Sequence, residues 1–561
     1  MLGLHTVDMV VLVLYFVGIT LIGAWAARLV KNMGDFFMPR KFGKIMLTAH
    51  TFGTGTHSDQ AVGVASKTFT SGLSGIWYQW LWLFCTPFYW LIAPLMRRFR
   101  AITVSDVFVA RYAKSVGMLF ALVGTFQLMF NIGVMLKGSG AVISASLGGS
   151  ISPNIIILIM TGLFIIYGVA GGLSAAIITD FVQGMLTIIF SFALVPFVMN
   201  AVGGFSGLRE KITDEHMFSL TAPGDITAFY ITIIALNALI GIVTQPHTMG
   251  NCAAGRTESD GRVGYVTGSF IKRICTMAWC ITGIAAVGYL TGSDVDPDQV
   301  YGIMARNFLP QIMPGLMGIF LASLIASVMS SCDSFMIASS ALFTENLYKP
   351  LIPDKSPKHY LFVGRITSLV IVSGGLASAY LLEGVVQGIE IFWKIAPMMG
   401  IAFWLGLFWR RTTTAGAWAS TLGAFGMLIL TDQSFFIRFV EDIYPSIVNS
   451  DGSAMVLHWQ MIFYLVTGFS LGIIVSLLTK PEDNNKLDRF YELVRTRVDA
   501  EEDSTAAPCT IPEGVTIPPK RLLLKAGGLE LLVPNKTSVT GFIISWLAVG
   551  TMILAFYVLT R

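Results

Sequence analysis

A hydrophobic segment, residues 322–348, carries more hydroxyl side chains than burial in a membrane requires. Five serines step along it at the spacing of one helix face, i, i+4, i+7, i+8 and i+11: Ser323, Ser327, Ser330, Ser331 and Ser334. Asp333 lies beside that face. Hydroxyl oxygens accept through their lone pairs and hard cations prefer oxygen ligands, so the stripe can form half of a cation site. Small hydroxylated residues also let membrane helices pack closely, and spacing alone does not separate the two interpretations.

The other half of a cation site is best sought in an apolar segment near the N-terminus, residues 45–66. From Ala49 it reads AHTFGTGTHSDQAVGVAS, and its glycines, threonines and polar residues propagate a helix poorly. Non-helical backbone at mid-membrane depth is tolerated only where it lines a cavity. Unwound carbonyl groups here would complete a cation shell. The alternative is a packing helix that is kinked at its glycines.

A second interruption lies in residues 228–251, where Pro246 removes a backbone donor from an apolar helix. The two interruptions, GTGTH and TQPHT, each come early in a block of five apolar spans, 45–200 and 228–409. Paired broken helices at corresponding positions of two halves indicate an inverted-repeat secondary transporter with its binding site at the midplane.

Ionisable residues inside apolar spans are costly in lipid and are therefore candidates for function. Asp180 is either a helix-end acid solvated from the cytoplasm or a cation ligand near the inner mouth. Lys394 follows Glu390 by four residues, so either the two neutralise each other or Lys394 meets an anionic group of a solute. His57 and His247 are interpreted as histidines satisfied at helix breaks, with a proton relay as the alternative.

The composition is that of an integral membrane protein. Of 561 residues, 54% are hydrophobic and 12% are charged, against about 45–50% and 25% in soluble domains. The net charge of +4 is small and spread over short loops, which gives no support for a nucleic-acid partner. No nucleophile–base pair and no metal-ligand motif stands out, so the sequence does not predict an enzyme.

Apolar runs long enough to cross a hydrocarbon core of roughly 30 Å can be placed about fourteen times. The spans are 6–27, 45–66, 75–96, 117–145, 153–171, 174–200, 228–251, 270–292, 315–346, 360–382, 386–409, 414–431, 460–479 and 540–560. Lysine and arginine collect in alternate loops, as they do in cytoplasmic loops. These predicted inside groups are Arg97, Arg98, Arg100, Arg111 and Lys114; Arg256, Arg262, Lys272 and Arg273; Lys349, Lys355 and Lys358; and Arg410 and Arg411. The pattern predicts a multi-pass protein of the plasma (inner) membrane with both termini outside, on the periplasmic or extracellular side.

The spans divide the chain into six parts. These are an extra N-terminal transmembrane helix with its cytoplasmic loop at 1–44, a first five-helix repeat at 45–200, a second inverted repeat at 228–411, two additional helices at 412–479, a polar cytoplasmic segment at 480–539 and a C-terminal transmembrane helix at 540–561. The polar segment has mixed charge, which is typical of a linker or a regulatory segment.

Four motifs, in this order, resemble the sodium:solute symporter family, which includes bacterial proline, pantothenate, sialic acid and sugar carriers and the animal sodium/glucose carriers. They are YGVAGGLSAAIITDFVQ at 167–183, QPH at 245–247, ASVMSSCDSFMIASSALFTENLYK at 326–349 and LGLFWRRTTTAGA at 405–417. The resemblance extends from about residue 6 to residue 479. It implies an all-α integral membrane protein with a LeuT-type 5+5 inverted-repeat core, formed by the second to eleventh spans.

The resemblance also implies a main sodium site. Its ligands would be the backbone carbonyls of Gly53, Thr56 and Ser327 and the hydroxyls of Ser330 and Ser331. In several members a second sodium site uses the acid that matches Asp180. Here that site would include Ser334 and, in place of a small hydroxylated residue, Asp333. The chain would therefore bind one or two sodium ions.

On the solute side, the resemblance points to two branches of the family. Gln60 matches a sugar ligand of some members, whereas Gln245 and His247 match a motif of proline carriers. His57 and Asp59 match neither branch, so the resemblance does not assign the solute. These five residues and Lys394 are the predicted solute-binding set.

The predicted function is symport: a sodium-coupled secondary carrier that imports a small organic solute by alternating access and acts in the lipid bilayer as a monomer. Two alternatives stay open. A proton-coupled carrier would use Asp180, Asp333 or a histidine. A membrane sensor would report bound solute through residues 480–539, although no output domain is visible there.

Overall fold

The computed structural model describes residues 4–28, 33–222, 226–449, 452–498, 507–524 and 527–561. Within these ranges the chain is helical, and its extended pairing is limited to four isolated bridges. Part of the motif at 167–183 falls among residues whose side chains lie outside this description. The prediction of an all-α fold is confirmed.

The helices fall into three groups along the chain. Before residue 222 they are α1 (Thr6–Ala27), α2 (Met33–Phe37), α3 (Lys44–Gly55), α4 (Ser58–Ser71), α5 (Trp77–Trp80), α6 (Thr86–Arg98), α7 (Val104–Arg111), α8 (Lys114–Ser146), α9 (Pro153–Ala193), α10 (Val195–Val202) and α11 (Gly204–Lys211). The middle group is α12 (Ala228–Ile242), α13 (Pro246–Ala253), α14 (Glu258–Tyr289), α15 (Val300–Ile312), α16 (Leu316–Ala341), α17 (Lys349–Leu351), α18 (Pro357–Leu381) and α19 (Val385–Phe408). The last group is α20 (Thr414–Thr431), α21 (Ser434–Ile443), α22 (Leu457–Leu478), α23 (Asn484–Arg495) and α24 (Lys536–Leu559).

Most of the predicted spans are single helices. In the described ranges, ten helices are long and apolar enough to cross a membrane, and α12 with α13, bent by 67°, would make an eleventh span. The other three predicted spans are helical but do not appear as single long apolar helices. Span 45–66 consists of α3 and α4, span 75–96 passes through short turns before α6, and span 153–171 is the first part of α9. The first two of these spans are divided by breaks, and part of the third falls among residues whose side chains lie outside the described part of the chain.

A kink divides α9 where two predicted spans meet. Gly172 has φ +59° and ψ −169°, in a region that side chains rarely adopt. A Cβ at this position would lie 2.8 Å from Phe36 Cα, so the close approach of α2 also requires glycine. The boundary between the predicted spans 153–171 and 174–200 is therefore a change of helix direction.

Helix α14 begins earlier than the sequence predicts, and this corrects the placement of two cations. The hydropathy pattern starts the span at residue 270 and leaves Lys272 and Arg273 near the end of a cytoplasmic loop. In the structure the helix starts at Glu258, and both cations are buried within it. The loop assignment is wrong because a hydropathy window counts every charged residue against a span, even one that faces the protein interior.

The serine-rich segment changes helix type near its end. The α-helix α16 is followed by a π-helical stretch, Leu342–Tyr348, where the sequence predicts one continuous helix. The stripe of serines lies wholly within α16, so its spacing is unaffected by this change.

Helix α16 occupies the centre of the described bundle. It packs against α1, α3, α8, α9, α13 and α18. All five serines of the stripe are buried, and the most exposed of them, Ser334, is 3% exposed. The stripe therefore faces other helices and not lipid.

The polar segment 480–539 contacts the basic loops that the sequence predicts to be cytoplasmic. Arg98 donates to the Val494 carbonyl oxygen at 3.3 Å, and Arg410 forms an ion pair with Asp488 at 2.7 Å. These contacts place helix α23 on the face of the bundle where the basic loops lie.

A buried arginine joins α7 to the end of α19 on the same face. Arg111 is 2% exposed; its Nε donates to the Gly406 carbonyl oxygen at 2.7 Å and its Nη2 to the Thr412 carbonyl oxygen at 3.1 Å. The guanidinium also stacks over Tyr112 and Tyr491. The Arg111 side chain thus donates to carbonyl groups at the end of a transmembrane helix, where the last carbonyl groups have no donor within the helix.

Replacing Arg111 with glutamine is expected to lower the apparent melting temperature of the detergent-purified protein by several degrees. The Gly406 carbonyl oxygen keeps its hydrogen bond from the Tyr491 hydroxyl, but the Thr412 carbonyl oxygen loses its Arg111 donor, and an unmatched buried group costs about 1–3 kcal/mol. Thermal unfolding measured by tryptophan fluorescence provides the readout. Arg438→Gln, at an exposed arginine, is the matched control. Equal melting temperatures for the two variants would contradict the anchoring role.

Candidate functional site

The first repeat is broken between α3 and α4, where the sequence predicts unwound backbone. Helix α3 ends at Gly55, and Thr56 and His57 are extended, with φ of −126° and −130°. Helix α4 begins at Ser58. The carbonyl end of one half-helix and the N–H end of the next therefore meet at the break, and both ends carry backbone groups that can bind ligands.

The serine stripe contacts the end of α3 through Ser331. The Ser331 Oγ donates to the Gly53 carbonyl oxygen at 3.1 Å and lies 3.1 Å from the Ser327 carbonyl oxygen. Three of the predicted sodium ligands thus meet where α16 crosses α3. Hydroxyl and carbonyl oxygens from two helices are a donor set that suits a hard cation.

Gly53 is packed too closely for a side chain. A Cβ at this position would lie 2.7 Å from Ser330 Oγ and 3.3 Å from Asp180 Cβ. The missing side chain is what lets α3 approach α16 and α9 at the level of the serine stripe.

Replacing Gly53 with alanine is expected to raise the sodium concentration for half-maximal uptake by about fivefold to tenfold. Overpacking costs about 1–3 kcal/mol, and 1.4 kcal/mol is a factor of ten. Uptake over a sodium series is the measurement. The control is Gly18→Ala, because a Cβ at Gly18 meets no atom of the described chain within 4 Å. Unchanged sodium dependence in both variants would argue against a cation at this contact.

Asp180 joins three helices at the same level. It is fully buried, its Oδ2 lies 2.6 Å from His50 Nδ1, and its Oδ1 accepts from the Ser330 hydroxyl. The interpretation of Asp180 as a helix-end acid solvated from the cytoplasm is wrong, because its side chain is 0% exposed. The carboxylate instead connects α3, α9 and α16 beside Gly53.

A chain of polar contacts runs from His50 to Ser334. Thr54 Oγ1 lies 3.2 Å from His50 Nδ1 and 3.0 Å from Ser334 Oγ. Of the residues predicted for a second sodium site, Asp180 and Ser334 are therefore linked through two residues of α3.

Asp333, the third residue predicted for a second sodium site, is also buried. It is 2% exposed and interacts electrostatically with Tyr15 of α1. Tyr15 in turn accepts from Gln183 Nε2 at 3.3 Å. Asp333 is thus a buried acid next in sequence to Ser334, where the polar chain ends.

A central cavity of about 80 Å³ lies at the break. Five of the residues predicted to bind solute line it: His57, Asp59, Gln60, Gln245 and His247. Phe335 of α16 lines it as well and stacks on His247, with ring centroids 4.5 Å apart. Both helix breaks therefore contribute to one cavity, which the serine helix closes on one side.

Lys394 lies outside the set of described residues that line this cavity. Its Nζ donates to Gln460 Oε1 at 2.9 Å, and Glu390 accepts from the Tyr78 hydroxyl at 2.6 Å. Lys394 therefore faces α22, and the structure does not bring it to the other predicted solute residues.

His57 orients two neighbouring side chains. Its Nδ1 is bonded to Asp59 Oδ1, and its Nε2 lies 2.9 Å from Gln60 Nε2. If Nδ1 donates to the carboxylate, Nε2 accepts from the Gln60 amide and both ring nitrogens are satisfied. This arrangement leaves Gln60 Oε1 buried with no hydrogen-bond partner within the described chain.

The comparison with known proteins identifies the family. A sequence model of the sodium:solute symporter family matches residues 36–423. The chain belongs to the sodium:solute symporter family. It is 26% identical to an osmoregulated proline transporter of Bacillus subtilis, over 83% of this chain and 94% of that protein. It is 25% identical to sodium/glucose cotransporter 2 of Rattus norvegicus, over 91% of this chain and 84% of that protein.

A solved structure shares the fold of this symporter. The substrate-bound, outward-open state of a Na⁺-coupled sialic acid symporter aligns with a TM-score of 0.69 and 18% identity, covering 85% of this chain and 99% of that chain. The predicted LeuT-type fold is confirmed. Together with the family, the fold makes this protein a membrane-embedded, sodium-coupled carrier of a small solute and not an enzyme.

Several residues that line the cavity of this symporter were not predicted. They are polar side chains from four different helices: Gln79, Asn131, Asn251, Lys272 and Arg273. Lys272 and Arg273 could have been predicted from their position at the edge of an apolar run, because an ionisable residue there is a candidate for function.

His50 is a further residue that the sequence analysis missed. It precedes Thr54 by four residues, so both lie on the helix face that meets Asp180. The helical spacing within α3 could have identified it as a partner for an acid in another span.

Proposed function

We propose that sodium binds between the broken α3–α4 span and the serine helix α16. Its ligands are the carbonyl oxygens of Gly53, Thr56 and Ser327 and the hydroxyl oxygens of Ser330 and Ser331. The observation that carries this proposal is the 3.1 Å contact between Ser331 Oγ and the Gly53 carbonyl oxygen. A cation at this point would hold a half-helix of the first repeat against a helix of the second repeat.

The solute occupies the central cavity, against His57, Gln60 and His247. The cavity and the proposed sodium site share one short stretch of backbone, since Gly53 belongs to the sodium site and Gly55 lines the cavity. Sodium would therefore fix the backbone that the solute contacts. Each ligand then favours the conformation that binds the other, which is the physical content of coupling.

One sodium ion accompanies each solute molecule. Both oxygens of Asp180 are already engaged, by His50 and by Ser330. The alternative is a second ion shared by Asp180, Asp333 and Ser334, which would double the charge moved with the solute.

Both termini lie outside the plasma (inner) membrane, and the chain works as a monomer. Asp8 Oδ1 accepts from the Gly318 N–H at 2.9 Å, so α1 and α16 begin at one membrane face. Arg209 donates to the Thr560 carbonyl oxygen at 3.1 Å, which brings the C-terminal end to a loop predicted to be outside. The six parts predicted from the sequence, with repeats at 45–200 and 228–411, form part of this proposal.

Solute uptake into proteoliposomes tests the proposed function. Purified protein is given an inward gradient of either sodium or protons, with a panel of amino acids, sugars and carboxylates. Accumulation driven by sodium and not by protons is the expected result, with one sodium ion entering per solute molecule. Accumulation driven by protons alone would overturn the sodium site, and saturable binding without accumulation would indicate a sensor.

A further inference from the structure

The wall of the central cavity carries more positive than negative charge. Among the described residues, its charged side chains are Lys272, Arg273 and Asp59. All three are at least nine-tenths buried, so water does little to offset the excess. Asp180, the acid beside the proposed sodium site, is engaged by its own neighbours, and a bound sodium ion adds another positive charge nearby. A buried excess charge is costly unless a partner of opposite charge neutralises it.

Lys272 places a cation at the helix break beside the cavity. Its Nζ donates to the Gly55 carbonyl oxygen, at the C-terminal end of α3. That end of a helix favours a cation, because its last carbonyl groups have no intrahelical donor. Asp59, the acid in the cavity wall, is already hydrogen-bonded to His57. The protein therefore supplies its own cation at the break and has no unused acid in the described wall for an ammonium group.

The same wall holds buried polar atoms that have no hydrogen-bond partner within the described chain. There are six of them: the amide oxygens Gln60 Oε1, Gln79 Oε1 and Asn251 Oδ1, the Thr51 hydroxyl oxygen, His247 Nδ1 and the Arg273 Nε donor. Buried polar atoms are normally paired, so a ligand is expected to complete them. The amide oxygens require donors such as hydroxyl groups, whereas Arg273 Nε requires an acceptor such as a carboxylate.

We infer that the solute of this symporter is a hydroxylated monocarboxylate, an anion of the hydroxy-acid or sugar-acid kind. Its carboxylate neutralises the excess charge of Lys272 and Arg273, and its hydroxyl groups donate to Gln60, Gln79 and Asn251. Neutral sugars lack the charge, and an amino acid brings an ammonium group whose charge would add to the positive excess of the wall, where the one acid of the described lining, Asp59, is already bonded to His57. The inference rests on the proposed function, because it places the solute in the central cavity.

Two matched sets of radiolabelled solutes test the class. One set is D-glycerate, glycerol and L-serine, and the other is D-glucuronate, D-glucose and D-glucosamine. Each contains a carboxylate with hydroxyls, its neutral counterpart and an amine-bearing counterpart. In proteoliposomes with a sodium gradient, at least one of the two acids is expected to accumulate and the other four solutes are not. Accumulation of a neutral or amine-bearing solute in preference to its acid, or accumulation of neither acid, overturns the inference.

Two variants test whether residues of the central cavity determine the preference for a hydroxylated monocarboxylate. Lys272→Gln is expected to raise the KM for the transported acid by about tenfold or more, because it removes a charge-assisted contact. Gln79→Glu adds an acid to the wall and is expected to shift the preference from the acid toward its neutral counterpart. The second variant keeps the inference testable if Lys272→Gln does not fold. An unchanged ratio of acid to neutral uptake in Gln79→Glu would contradict the charge argument.

The effect of membrane potential separates this inference from the proposed stoichiometry. One sodium ion and one monocarboxylate together move no net charge, so an imposed inside-negative potential should leave uptake of the acid unchanged. If the acid is transported but the potential accelerates it, the class stands and the one-ion proposal fails. If uptake of the acid does not depend on sodium, the inferred solute class is still supported, but the proposed sodium site is contradicted.

Discussion

Replacing Asp180 with asparagine reduces the initial rate of sodium-driven solute uptake by more than about a hundredfold. Asparagine keeps the shape of the side chain but removes the charge that faces His50 and Ser330. A hydrogen bond to a charged group contributes about 1.5–3 kcal/mol, Asp180 makes two such contacts, and 1.4 kcal/mol is a factor of ten. The measurement is the initial rate in proteoliposomes at saturating sodium, with equal amounts of reconstituted protein.

Asp106→Asn is the matched control for this prediction. Asp106 is a partly buried carboxylate at the start of α7, where it accepts from Asn346 Nδ2 at 2.7 Å. Its replacement is expected to lower thermal stability while the sodium dependence of uptake stays unchanged. Equal losses of uptake in both variants would show that Asp180 serves stability and has no particular role in sodium coupling.

Replacing Ser331 with alanine raises the sodium concentration for half-maximal uptake by about tenfold to a hundredfold. The change removes a proposed ligand and the hydroxyl that contacts the Gly53 and Ser327 carbonyl oxygens. A contact to a charged group contributes about 1.5–3 kcal/mol, and 1.4 kcal/mol is a factor of ten. Uptake over a sodium series, with choline keeping the ionic strength constant, measures the shift.

Ser323→Ala provides the comparison on the same helix face. The Ser323 Oγ donates to the Ile319 carbonyl oxygen of its own helix at 2.7 Å, a local contact that a serine in a helix commonly makes. Its loss is expected to change the sodium dependence less than about twofold, since a local hydrogen bond of this kind contributes little to stability. Similar shifts in the two variants would mean that the stripe serves helix packing and not sodium binding.

The elements that position the site could be predicted from spacing and composition. Serines repeating at helical intervals predict a polar face on α16, and the structure buries that face against α3 and α9. Glycine and proline in apolar spans predict breaks, and the chain is non-helical at Thr56 and His57 and bent by 67° between α12 and α13. These features depend on residues close together in the chain, which is why the sequence reveals them.

Contacts between distant segments were harder to predict. His50 meets Asp180 across 130 residues of chain, and no local pattern in α3 indicates which acid it faces. Lys272 and Arg273 were misplaced for a related reason, since hydropathy records the cost of a charge in lipid but not whether a charge faces a cavity. The choice of solute depends on these interior charges, so it becomes accessible only when the cavity is known.

Sodium binding by the purified protein tests the central claim most directly. Thermal unfolding of the detergent-purified protein is followed over a series of sodium concentrations in the absence of solute, with choline as the substitute cation. Sodium is expected to raise the melting temperature of the wild-type protein and of Ser323→Ala over similar concentration ranges, with saturation in both. Ser331→Ala is expected to need sodium concentrations about tenfold higher or more for the same stabilisation. The same sodium dependence in all three proteins would contradict a sodium site between Ser331 and the broken helix.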